Sequence, residues 1–158
     1  MTVEEMKVIR ELESQMNEAG FDSIIKEIDG LEVLRVLLDE LGENENGNEI
    51  IEFCFLPVGD DNGELPADLR LFQIYTTIVG DIPEEKFSGI LTKLNKSNLE
   101  CVLGGFNIYE KEHQLYHKYI SVVRGNTAEE MLGIIQPAVN WISATVVEMY
   151  DEMVSICS

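Results

Sequence analysis

Between Phe87 and Val123 the spacing of apolar residues changes from helical to strand-like, and that change requires a helix packed beside a sheet. Phe87, Ile90, Leu91 and Leu94 recur at intervals of three and four, which gives a short helix one apolar face. Asp81 and Glu84, with Pro83 between them, predict its N-terminus through capping carboxylates and a proline in the first turn. Asn95-Lys96-Ser97-Asn98 predicts its end, because short polar side chains compete for backbone hydrogen bonds. Leu99, Cys101 and Leu103 then alternate with Glu100, the pattern of a strand with its odd positions turned inward. Beyond Gly104-Gly105 the apolar positions become even, at Phe106 and Ile108. One inserted residue accounts for the change, so the glycine pair reads as a β-bulge with Leu103 and Phe106 both facing the core; a plain break is the alternative. Tyr109–Gln114 is the expected hairpin turn, and Tyr116–Val123, rich in β-branched and aromatic residues, the returning strand.

The LNKSN segment ending at Asn98, Gly105-Phe106 in the strand that follows, and the return through Tyr119-Ile120-Ser121-Val122 resemble the YbjN-like family. The likeness covers about the last two-thirds of the chain, and the first third fits by element order alone. Glu110-Lys111-Glu112-His113 departs from it, standing where an Asp/Gly-type turn is expected. The resemblance implies a type III secretion chaperone-like fold with element order α-β-β-β-α-β-β-α. It also implies a non-enzymatic role in binding another polypeptide, and the length of 158 residues predicts one domain over residues 1–158. A regulatory or sensory domain with a small ligand at the sheet is the alternative.

The remaining residues fit an α+β, two-layer architecture: an antiparallel sheet of five or more strands with helices on one face. Thr2 with Glu5 is a capping-box pattern, and Met6, Ile9, Leu12 and Met16 make one stripe, so the first helix is expected over Thr2–Ala19, stopped by Gly20. Residues 21–41 carry two patterns. Ile24, Ile28, Leu31, Leu34, Leu38 and Leu41 fit a helix face, whereas the β-branched content and Asp29-Gly30 favour a strand over 32–41, with room for a shorter one around 23–28. A polar loop at Gly42–Glu49 precedes a strand over 50–56, and a second loop at Gly59–Pro66 precedes a long strand at 69–79 that is apolar at both parities. Thr127 with Glu130 starts a last helix running to about Ile156, which Pro137 is expected to kink. Its apolar arc is wide. One stripe runs through Met131, Ile135, Ala138, Ile142, Val146, Met149 and Met153. A second runs through Leu132, Val139, Val147, Tyr150 and Val154, with Ile134 and Trp141 on the other edge. Either a partner covers part of this arc or the helix lies deep in its own domain.

A formal net charge of −19 argues against nucleic acid and anionic membranes as partners. Three cysteines (Cys54, Cys101, Cys157), widely spaced and without C-x-x-C, read as buried thiols of a cytoplasmic protein. Charges at Glu4, Glu5 and Lys7 interrupt any signal-peptide core, and no stretch reaches transmembrane length. His113 and His117 would lie roughly 13 Å apart along a strand, too far to share a metal, and read as solvent-facing turn residues. The acidic loops fail as calcium sites. With Gly47 or Gly63 at the sixth position, the first and twelfth fall on Gly42 and Phe53 or on Val58 and Leu69. No nucleophile elbow, phosphate loop or dinucleotide fingerprint is present, so no catalytic, cofactor or metal residue is assigned. The surplus apolar surface points instead to a homodimer or protein partner meeting the last helix, through Trp141, Val147, Tyr150 and Val154, or meeting the exposed sheet face.

Overall fold

The computed structural model describes residues 1–57 and 66–158. Helix α1 (Val3–Glu18) leads into four strands, β1 (Ser23–Ile28), β2 (Leu31–Leu41), β3 (Gly47–Leu56) and β4 (Leu69–Val79). Helix α2 (Phe87–Ser97), the hairpin β5 (Gly105–Tyr109) and β6 (Gln114–Arg124), and helix α3 (Ala128–Cys157) follow. All pairings are antiparallel, in the order β1-β2-β3-β4-β6-β5. The expected class holds, with the short strand β1 added before the helical crossover. The second loop, with its Gly63-centred calcium reading, falls largely outside the described residues.

Register explains why one face is core. Val36 stands opposite Ile51, Ile51 opposite Thr76, Thr76 opposite His117 and His117 opposite Phe106, a row buried across five strands. Leu34, Phe53 and Ile74 form the neighbouring row, and Phe55 meets Phe72 edge-on at 5.1 Å. The helices lie against this face. Val8, Ile9 and Leu12 of α1 and Met131, Ile135, Val139, Ile142, Val146 and Met153 of α3 are buried there. Burial of such side chains contributes roughly 1.5–3 kcal/mol each, the main stabilising term of the fold.

Both capping boxes form. The Thr2 hydroxyl accepts from the Glu5 amide at 3.2 Å, and Glu5 returns the bond to the Thr2 amide at 2.6 Å. Glu5 also reaches Arg70 of β4 at 2.6 Å, tying α1 to the sheet. At α3 the Glu130 amide donates to Thr127, while Glu130 accepts from the Asn126 and Thr127 amides. Helix α3 continues through Pro137, whose missing N–H leaves the carbonyl of exposed Gly133 to solvent.

Two local expectations are corrected. Asp81 and Glu84 do not cap α2: Asp81 takes φ 53°, and a 3-10 turn over Glu84–Lys86 leads into the helix without a side-chain cap. No strand runs through Leu99–Leu103 either. Successive turn bonds join the Leu99 amide to Lys96, Glu100 to Ser97 and Cys101 to Asn98, and β5 begins only at Gly105. The change of parity therefore marks the junction of a turn with a strand and not a bulge. Leu103 is half-buried against the core and Phe106 is buried, as expected, but Leu99 and Val102 project into solvent.

Candidate functional site

The turn over 98–104 is firmly built. The Asn98 amide nitrogen donates to the Phe106 carbonyl at 2.8 Å and its oxygen accepts from the Phe106 amide at 2.7 Å, so one side chain occupies the outer edge of β5. Cys101 Sγ lies 3.8 Å from Met149 Sδ, and Ser97 donates to Glu152, which fastens the turn to α3. The Leu103 carbonyl accepts from His117 Nε2 at 3.2 Å. Gly104 has φ +70°, and a Cβ there would fall 2.6 Å from the Lys118 carbonyl.

His117 is thus not the solvent-facing residue that sequence spacing predicts. It is fully buried, edge-on to Phe106 at 4.9 Å, and its Nδ1 has no partner among the described residues. Burial holds its pKa below the ordinary histidine value. Its parity matches buried Leu115 and Val123, a signal the sequence did carry. His113 is a turn residue, left-handed at φ 53°, with Nδ1 donating to the Ile82 carbonyl at 2.8 Å. Burial pushes the Cys54 thiol up to about 11 and also raises Cys101 and Cys157, which disfavours the thiolate in all three. Among the described residues no three His, Cys, Asp or Glu side chains converge.

What this rigid turn presents is apolar. Leu99 is 85% and Val102 66% exposed, and Trp141 of α3, which lines one groove with Val102, is 53% exposed. An open groove of about 630 Å³ runs between turn and helix, walled by Pro137, Trp141, Ala144 and Met149 of α3 and by Glu100 and Val102. Leu99 and Val102 are not legible as functional in the sequence, because the alternation of Leu99, Cys101 and Leu103 imitates a strand.

The four partner-facing residues expected on the last helix are not brought together. Trp141 and Val147 are six positions apart, roughly 120° around a helix of 3.6 residues per turn, so Val147, 46% exposed, stands outside the groove. Tyr150 and Val154 are half-buried. The Tyr150 ring lies over Gly47, where an added Cβ would meet it at 2.5 Å, and Asp151 beside it accepts from the Glu43 amide at 2.8 Å. These two residues clamp the β2–β3 turn. Glu49, opposite Leu38 on the covered face, is pushed up to about 7 by burial, and Glu49 in turn contributes to raising the Tyr150 hydroxyl.

The helix-free sheet face differs in character. Ile24, Ile50, Ile120 and Val122 are exposed on it, Arg35 pairs with Glu52 at 3.0 Å, and Tyr75 stacks on Tyr116 at 5.3 Å. Of the paired positions facing this side among the described residues, Lys26, Arg35, Lys118 and Arg124 are basic and Glu52 is acidic. Asp22 and Asp39 stand at its rim. No family model matches the chain, and no curated protein does. No helix among the described residues is long and apolar enough to cross a membrane.

Proposed function

We propose that the protein is a non-enzymatic interaction module of the cytoplasm that binds another polypeptide in the groove between α3 and the 98–104 turn. The observation supporting this is a turn anchored by side-chain and backbone bonds that nonetheless exposes Val102 in one groove with Trp141. Preorganised apolar side chains around an aromatic anchor reduce the ordering cost of association. The likeness to the YbjN-like family, with its secretion chaperone-like fold, agrees with this role by analogy. The partner is another chain in preference to a second copy, since two copies at −19 each repel. A photo-crosslinker placed at Val102 tests this. It is expected to trap one polypeptide that then binds saturably in purified form, with no product from the same crosslinker at Thr92 on α2. Equal products from both positions would defeat the proposal.

A small-ligand regulatory role is the second reading. An open recess of about 480 Å³ on the helix-free face, lined by Arg35, Leu37, Ile50 and Tyr75, favours it.

A further inference from the structure

The groove's charge is one-sided. Helix α3 contains no Lys or Arg in its thirty residues, and the charged side chains lining the groove are Glu100 and Glu148. Of the sheet's basic residues, Arg70 is paired with Glu5 of α1, and Lys26, Arg35, Lys118 and Arg124 face the opposite side. A cationic partner is therefore drawn toward the groove and repelled from the open sheet, and the net charge of −19 steers its approach. Backbone pairing is unavailable to it here, because Asn98 already occupies the N–H and C=O of Phe106 on the β5 edge. What remains is docking by side chains, the mode in which an amphipathic helix lays its apolar face into a groove.

We infer that the groove between α3 and the 98–104 turn receives a basic amphipathic helix, its apolar face on Val102 and Trp141 and its cations against Glu100 and Glu148. This rests on the polypeptide-binding reading above and adds the chemistry of the partner. Trp141 is also the place where a cation gains from a ring face.

Trp141 is the single tryptophan of the chain, so its fluorescence reports on this groove directly. The probes are three helical peptides of about 18 residues, five turns, free of Trp and Tyr. One carries Lys with Leu at i, i+3, i+4 and i+7; the second replaces Lys by Glu; the third replaces Leu by Ser. The Lys/Leu peptide is expected to blue-shift Trp141 saturably, with affinity falling about tenfold between roughly 50 and 300 mM salt. The double variant Glu100→Lys/Glu148→Lys should transfer the preference to the Glu/Leu peptide, and Val102→Ser should weaken binding without altering the circular dichroism of the fold. If the Glu/Leu peptide shifts wild-type Trp141 as well as the Lys/Leu peptide does, the basic partner is excluded while polypeptide docking stands. If the Lys/Leu peptide binds with Trp141 silent, or binds the double variant unchanged, it is held by diffuse acidity and the inference fails. If no peptide moves Trp141, this inference and the polypeptide-binding reading both fall.

Discussion

Gly104 and His117 fix each other's position. The left-handed backbone of Gly104 leaves room for the His117 ring, whose Cε1 would lie 2.7 Å from any Cβ added there, and His117 in turn holds the Leu103 carbonyl. Gly104→Ala is expected to cost on the order of 1–3 kcal/mol, read as a lower urea midpoint. Gly105→Ala should cost less, because its Cβ would meet the Asn98 oxygen at 3.3 Å, a contact that a small shift relieves. Equal losses at the two positions would contradict this account. Two buried groups set the pH dependence. His117 titrates below the ordinary 6.5 when folded, so as pH falls through 6.5 the unfolded chain takes up a proton that the folded one refuses, and stability drops. Glu49 runs the other way. Raised from 4.5 to about 7, it keeps its proton in the folded state across that interval, and stability is lost as pH rises through it. Glu49→Gln should therefore stabilise the protein at pH 8, by about 1 kcal/mol once solvent screening of a half-exposed group is allowed for, and change little at pH 4. Chemical denaturation of the variant at both pH values decides it; a gain of the same size at pH 4 would assign the effect to packing.

At the scale of elements, what could be read in the sequence was what is local and redundant. The capping boxes at Thr2–Glu5 and Thr127–Glu130, the long apolar run of β4 and the β-branched and aromatic run of β6 each spread their signal over several residues, and all form. The 99–103 segment offered only three alternating residues, too few to separate a strand from a turn that exposes Leu99, Glu100 and Val102. The His117 parity was legible but was outweighed by its nearness to the hairpin. Half of the candidate site followed from the width of the last helix, which brought out Trp141. The other half, Leu99 and Val102, depended on how Asn98 ends α2 by turning its side chain onto Phe106, a tertiary contact with no sequence period. Asn98 also serves as the guard of the β5 edge, a row of groups that would otherwise invite pairing with another chain. Asn98→Ala should cost about 1–3 kcal/mol through two lost bonds to half-buried backbone. It should also increase self-association in light scattering. A variant of unchanged stability that stays monodisperse would remove the guarding role.

At the scale of the molecule the charge is divided. Residues 1–65 hold eighteen acidic and four basic side chains, net −14, and residues 66–158 twelve and seven, net −5, which together give the −19 of the chain. Folding draws these charges to within a few Debye lengths of one another, so self-repulsion opposes the compact state, and added salt relieves it. The same salt weakens capture of a cationic helix by Glu100 and Glu148, whose attraction is screened over about 8 Å at physiological ionic strength. Fold and binding should thus answer salt with opposite signs. Between roughly 20 and 300 mM sodium chloride the thermal midpoint should rise by a few degrees at pH 8, and by less near pH 4.5, where about a third of exposed carboxylates are neutral. The Lys/Leu peptide should lose affinity over the same range. A midpoint that falls with salt at pH 8 would mean that the ion pairs Arg70–Glu5 and Arg35–Glu52 outweigh the repulsion of all the remaining acids. That outcome is not expected of two pairs, Arg35–Glu52 partly exposed and Arg70–Glu5 with its carboxylate buried, set against so large an acidic excess.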